Sequence, residues 1–292
     1  MRVGLVGPGI MGGPMGRNLL RAGHEVSVVG RSRTRVDALV AEGARAVASP
    51  AELAPQVEVV VTALPDGPDV EQVVVGPAGL LEGAVPGLVV VDTSTIAPAT
   101  ARCLAERCAA RGVAFLDAPV SGGERGAIDG TLSIMVGGDE TALERVQPVL
   151  AAIGRRVTYM GASGQGQMTK LVNQVIAATT LAAVAEGLTL ATHAGLEPEA
   201  VLVAVGSGAA SSWQLEHLGP KIQRGDFAPG FMVRLQQKDL RLALAAAREV
   251  GVALPTTGLV HQLFAAVEAA GGGTLGTQAL ASVLERLVLP RG

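Results

Sequence analysis

Four groups of residues in this chain have types and spacings suited to chemistry. Lys170 and Asn173 stand three apart in the block Gly164-Gln165-Gly166-Gln167-Met168-Thr169-Lys170-Leu171-Val172-Asn173-Gln174, so a helix beginning near Gly166 puts them on one face. A lysine in the first turn of an apolar helix is partly desolvated, and the positive helix end disfavours its charge. Both effects lower its pKa toward a value useful for proton transfer. A lysine that snorkels to the surface is the competing reading of that spacing. In Asp117-Ala118-Pro119-Val120-Ser121-Gly122-Gly123, a hydroxyl lies beside two glycines. Backbone N–H groups exposed there form a nest suited to a carboxylate, with an ordinary tight turn as the alternative. Lys238, in Gln237-Lys238-Asp239-Leu240, is a second lysine inside an apolar helical stretch, where a surface Lys–Asp pair is the commoner arrangement.

The fourth group is Gly7-Pro8-Gly9-Ile10-Met11-Gly12, a G-x-G-x-x-G pattern that follows a strand-like run and opens a helix. Gly7 permits the tight turn, Gly9 lets the backbone approach a pyrophosphate, and Gly12 allows close helix–strand packing. Backbone N–H groups of Ile10, Met11 and Gly12 at the helix start face the phosphates. An NAD site usually carries Asp or Glu at the end of the second strand, about 20 residues on. This chain has Gly30-Arg31-Ser32-Arg33 there. Two guanidiniums and a hydroxyl suit a 2′-phosphate, which predicts NADP(H) as the preferred cofactor and NAD(H) as the alternative. Arg33 and Arg35 as solvated helix residues remain the plainer reading. Leu64-Pro65-Asp66 and Asp92-Thr93-Ser94-Thr95 follow two later strands. Leu64, Pro65, Ser94 and Thr95 are therefore candidate cofactor contacts, or loop and capping residues.

The elements that must position these groups follow from the apolar pattern. Runs at Val3–Val6, Val26–Val29, Val57–Leu64, Leu88–Asp92 and Val113–Leu116 are apolar throughout, as strands covered on both faces are. They alternate with helical stretches, which predicts a mostly parallel sheet with helices on each side. Leu132–Val136 and Arg156–Tyr159 read as further strands. Near Gly161 the pattern changes to long Ala- and Leu-rich helices. The expectation is an α/β Rossmann-type N-terminal domain over residues 1–161 and an all-α C-terminal domain over 162–292. A helix from about Gln167 to Ala194 would run roughly 40 Å. One so long and apolar needs cover on several sides, which predicts a homodimer or homotetramer. Trp213 and Phe231 are either pocket-lining or core residues.

Composition narrows the classes. With 292 residues and 49% hydrophobic content, burial is not limiting; aromatics are only 2%, so Ala, Val, Leu and Ile must fill the core. The balance of 23 basic against 26 acidic residues, without a long basic run, gives no footprint for nucleic acid. The apolar stretch Leu171–Ala194 contains Asn173, Gln174, Glu186 and His193, which reads as a buried helix and not a membrane span. The strand-like Val3–Val6 leaves no secretory signal before it, and Cys103 and Cys108 match no zinc or redox spacing. Both predict a cytoplasmic protein with free thiols. His24, His193, His217 and His261 form no ligand cluster, so no metal is expected.

Together these segments resemble the β-hydroxyacid dehydrogenase family over essentially the whole chain. The carrying residues are Gly7 to Gly12 with Met15, Asp117 to Gly123, Gly164 to Asn173, and Lys238-Asp239. The stretch through Ala127-Ile128-Asp129-Gly130-Thr131-Leu132-Ser133 to Gly137-Gly138-Asp139, and Thr169 to Ile176, look like the tartronate semialdehyde reductase branch. The resemblance implies Lys170 as general acid/base and Asn173 as an orienting group. It implies Ser121-Gly122-Gly123 as the site for a small carboxylate substrate, and Lys238 beside the nicotinamide. Many relatives carry a second Asn where this chain has Gln174, and Pro8 and Gly30 are less typical. Reduction of tartronate semialdehyde to glycerate is the reaction implied. The alternatives are 3-hydroxyisobutyrate dehydrogenation and glyoxylate or succinic semialdehyde reduction. Imine reductases share the architecture but usually lack a Lys at the Lys170 position. A non-enzymatic cofactor-binding scaffold would be expected to lose that lysine.

Overall fold

Valine-rich runs make the strands, and their residues face alternately into two cores. The computed structural model describes residues 1–288. Val3, Leu5, Val26, Val28, Val59, Val61, Val89 and Val91 belong to one apolar cluster. Val6, Val29, Val60 and Val90 belong to another. Successive strand residues point to opposite faces, so both faces of the sheet are covered and the central positions of the strands are apolar on both.

The strands are β1 (Arg2–Val6), β2 (Glu25–Val29), β3 (Arg45–Ala46), β4 (Val59–Thr62), β5 (Val89–Asp92), β6 (Ala114–Asp117), β7 (Val120–Ser121), β8 (Leu132–Gly137) and β9 (Gly154–Gly161). Their order is β3-β2-β1-β4-β5-β6-β8-β7, with β9 on β8. The pairs from β3 to β6 are parallel. β8 runs antiparallel to β6 and β7. This is a Rossmann-type sheet, and its strand order reverses between β1 and β4, where open α/β sheets bind ligands at the carboxyl ends of strands. The two-residue strands β3 and β7 carry too short a pattern to be read from sequence.

The chain forms two compact units, which divide after Lys170. The sheet and its helices make the first. The second is helical over its described residues. It comprises the long helix Gln165–His193 beyond Lys170 and the helices Pro198–Gly206, Trp213–Gln223, Val233–Glu249, Pro255–Ala269 and Ala281–Arg286. Its core gathers Ala178, Leu181, Ala182, Leu240, Val260, Phe264 and Leu280. The long helix has the length and composition of a membrane span, yet Lys170 and Gln174 on it are buried.

Candidate active site

In the first unit the three glycines of the turn have three separate reasons to be glycine. Gly7 has φ +92°, and a Cβ there would lie 2.5 Å from the Ala63 carbonyl oxygen. A Cβ on Gly12 would lie 2.1 Å from the Gly7 carbonyl oxygen, so the helix Gly12–Arg21 could not start so close to the strand. Around Gly9 there is room. The nearest atom to a Cβ there is Arg35 Nη1 at 3.6 Å. The protein does not require Gly9 for its own packing, which leaves that space open for a phosphate to approach the backbone. The helix has no side-chain cap and no acidic residue in its first turn, which leaves its start suited to an anion. Ile10 is 38% exposed beside it. The turn therefore fits a dinucleotide.

Beyond β2 the arginines divide. Arg33 turns to Asp37, 3.3 Å away on its own helix Arg33–Ala41. Arg31 lies 3.3 Å from Asp69 and is largely exposed. Ser32 occupies the cap position of that helix without a capping hydrogen bond. Arg35, rather than Arg33, reaches over the glycine turn.

The loops after β4 and β5 are tied together by Asp92, which is fully buried. Its Oδ1 accepts from Thr62 Oγ1 at 2.7 Å and Ser94 Oγ at 2.6 Å. Ser94 Oγ in turn accepts from the Leu64 backbone N–H at 2.9 Å. Ser94 thus fixes where Leu64 sits. Pro65 is exposed, Thr95 is half-buried, and Asp66 caps the helix Gly67–Val75.

Asp117 at the end of β6 is the second organiser. Its carboxylate accepts the Gly164 N–H at 2.7 Å and the Gln167 N–H at 2.8 Å, which fastens the first turn of the long helix. Gln167, fully buried, donates to Ser94 O at 2.8 Å and accepts from Ile96 N at 3.0 Å. A Cβ on Gly166 would stand 2.4 Å from Met135 O, so the Gly-Gln-Gly run reflects tight packing. One turn further along lies Lys170, 7% exposed. Burial pushes the Asp117 carboxyl from 3.8 up to about 6, against the two N–H donors, which pull it down.

Ser121 lies in β7, opposite Ser133 of β8. Gly122 and Gly123 follow with φ of +135° and +61°, a conformation that needs glycine. Among the described residues nothing lies within 4 Å of a Cβ on Gly123, so this backbone has open space beside it.

In the second unit four polar residues form one chain. Asn173 Nδ2 donates to Gln174 Oε1 at 2.8 Å, and Gln174 Nε2 donates to Asp239 Oδ2 at 2.6 Å. Asp239 Oδ1 lies 3.0 Å from Lys238 Nζ, with both side chains largely buried. The Lys238–Asp239 pair is not a surface pair. Trp213 is 54% exposed and stacks on His217 at 4.5 Å between ring centroids, so it is not a core residue; Phe231 is half-buried.

In the sequence alone Gln167 had no role, Asp92 stood in a candidate loop without one, and Arg35 was weighed only as a solvated helix residue. The signal for Gln167 was its position three residues before Lys170 on an apolar helix; for Asp92 it was the strand end it shares with Ser94, and for Arg35 the basic run after Gly30. Among the described residues no cluster of His, Cys, Asp and Glu could hold a metal. Cys103 is exposed, and Cys108 is buried, which pushes its thiol up to about 12.

Residues 2–161 match the family described as the NAD binding domain of 6-phosphogluconate dehydrogenase. Residues 164–284 match that described as the NAD-binding domain of NADP-dependent 3-hydroxyisobutyrate dehydrogenase. The chain is 41% identical over 285 residues to 2-hydroxy-3-oxopropionate reductase of Escherichia coli, covering 98% of this chain and 97% of that one. The chain belongs to the 3-hydroxyisobutyrate dehydrogenase-like β-hydroxyacid dehydrogenases. A solved 3-hydroxyisobutyrate dehydrogenase from Salmonella typhimurium superposes with TM-score 0.89 at 32% identity, covering 97% of this chain and 99% of that one. A structure titled Psf3 in complex with NADP+ and 2-OPP superposes with TM-score 0.89 at 29% identity, with the same coverage. As a member of this family the protein is an NAD(P)-dependent oxidoreductase of hydroxyacids.

Proposed function

We propose that this β-hydroxyacid dehydrogenase reduces tartronate semialdehyde to glycerate, with NADP(H) preferred over NAD(H). The observation that carries the chemistry is Lys170, buried one turn beyond the helix start that Asp117 fastens. The substrate reading is supported by the 41% identical 2-hydroxy-3-oxopropionate reductase, whose name describes the same compound. The cofactor reading is supported by Gly30 in place of an acid, with Arg31, Ser32 and Arg35 near the end of β2. Gly7, Gly9 and Gly12 hold the pyrophosphate.

When bound, the nicotinamide supplies the hydride that the carbonyl carbon accepts. Ser121, Gly122 and Gly123 bind the substrate carboxylate through their N–H groups and the hydroxyl. Lys170 stabilises the developing alkoxide and donates its proton. Asn173 orients the carbonyl oxygen, itself held by Gln174. By the family resemblance Lys238 offers its positive charge to the nicotinamide. In the oxidative direction Lys170 takes the proton instead. The domains act as 1–161 for the dinucleotide and 162–292 for substrate and assembly. A cytoplasmic homodimer or homotetramer is the matching assembly, supported by Ile176 and Leu190, which are 61% and 72% exposed on the long helix.

Steady-state kinetics with tartronate semialdehyde, glyoxylate, succinic semialdehyde and 3-hydroxyisobutyrate, each with both cofactors, test this. The expected result is the highest kcat/KM for tartronate semialdehyde with NADPH. A higher value for another member reassigns the substrate. No turnover of any member overturns the reading.

A further inference from the structure

We propose that Pro8 and Gly30 form a steric pair that keeps an acidic side chain away from the adenosine ribose and so sets the choice of dinucleotide. The proposal deepens the NADP(H) reading above and rests on it.

Gly30 follows directly on β2, where an NAD site places its carboxylate. A Cβ on Gly30 would stand 2.5 Å from Pro8 Cδ and 2.8 Å from Pro8 Cγ, with Val36 Cγ2 at 3.2 Å on another side. Gly30 is not among the glycines with positive φ, so glycine is required here for space and not for conformation. The obstacle is rigid. A proline ring is closed onto its own backbone nitrogen and has no rotamer that swings it aside. Pro8 is also buried. Its neighbour Gly7 donates its N–H to Val29 O at 3.0 Å, and that bond ties the turn to the residue just before Gly30. The loop therefore cannot step back to admit a side chain.

A carboxylate at position 30 is excluded as long as Pro8 stands opposite. The ribose end then meets no negative side chain from the strand terminus. It meets instead Arg31, and Arg35, whose Nη1 comes within 3.6 Å of where a Gly9 Cβ would be. A 2′-phosphate gains charge-assisted hydrogen bonds from such groups, while a 2′-hydroxyl finds no acidic acceptor. Residue 8 acts here as a positioning residue for cofactor choice.

The test uses the full chain with Gly30→Ala, Gly30→Asp, Pro8→Ala and the two double variants. Thermal unfolding is measured without cofactor, and NADPH and NADH affinities by calorimetry. Gly30→Ala is expected to lower Tm, and Pro8→Ala in the same chain to restore most of the loss. Gly30→Asp alone is expected to weaken NADPH binding without gaining NADH. Pro8→Ala/Gly30→Asp is expected to move the NADPH/NADH affinity ratio toward NADH by about tenfold or more. Additive Tm losses, or a Gly30→Asp chain that switches cofactor at unchanged Tm, overturn the pair. A wild-type chain that binds NADH as tightly as NADPH overturns the NADP(H) reading, and with it the pair's role in selectivity. The coupling in the cofactor-free Ala variants still reports separately on the steric contact.

Discussion

Gln174 on the long helix donates its amide N–H to Asp239 Oδ2 across 2.6 Å, and Asp239 through its other oxygen holds Lys238 Nζ at 3.0 Å. One buried carboxylate thereby positions Asn173, through Gln174, and Lys238 together. Asp239→Ala removes the counter-charge of a lysine whose side chain is only 12% exposed. The expected cost is about 3–5 kcal/mol, because removing one member of a buried ion pair costs far more than losing an exposed contact. Urea unfolding of the variant measures it; a loss below about 1 kcal/mol, typical of an exposed pair, would contradict the arrangement.

Gly9 and Gly12 should respond in opposite ways to alanine. Gly9→Ala meets only ordinary contact, at 3.6 Å, so Tm without cofactor should hold while dinucleotide affinity falls. Gly12→Ala forces a Cβ to 2.1 Å from Gly7 O and should cost about 1–3 kcal/mol of stability. Thermal unfolding and NADPH titration of both variants separate the ligand's demand for space from the fold's.

Lys170→Ala should lower kcat by about 10²–10⁴ through loss of the proton donor. NADPH affinity should stay nearly intact, since the glycine turn holds the dinucleotide. Stopped-flow reduction of the substrate, with cofactor affinity measured in parallel, checks both halves. Turnover near the wild-type rate would remove Lys170 from the chemistry.

Asp117 predicts a pH dependence of stability. Its carboxyl is raised from 3.8 to about 6, so the folded chain binds this proton more tightly than the unfolded chain does. The contribution to stability is full below 3.8 and is lost as pH rises through about 6. Asp117→Asn carries no such proton. The stability of the wild type relative to the variant should therefore decline across that window, as read by denaturant unfolding at a series of pH values. A difference that stays constant or grows with pH would contradict the raised carboxyl.

The sequence alone determined the parts whose cause is local. Apolar runs bounded by turn residues gave the parallel strands, and the spacing of Gly7, Gly9 and Gly12 after β1 gave the dinucleotide turn. The three-residue interval of Lys170 and Asn173 gave a shared helix face. Tertiary structure decided what depends on which distant segments meet. Only folding brings Asp117 to the Gly164 and Gln167 N–H groups, 47 and 50 residues away. Only folding shows that Asp239 lies under Gln174, 65 residues off, which turns an apparent surface pair into a buried one. It also brings Arg35 over Gly9, while Arg33 keeps to the local pair with Asp37 on its own helix. Pro8 and Gly30 are each atypical in the linear chain, but nothing there connects them. They become one feature because the bond from Gly7 to Val29 closes the turn onto the strand end, leaving no volume between them for a side chain.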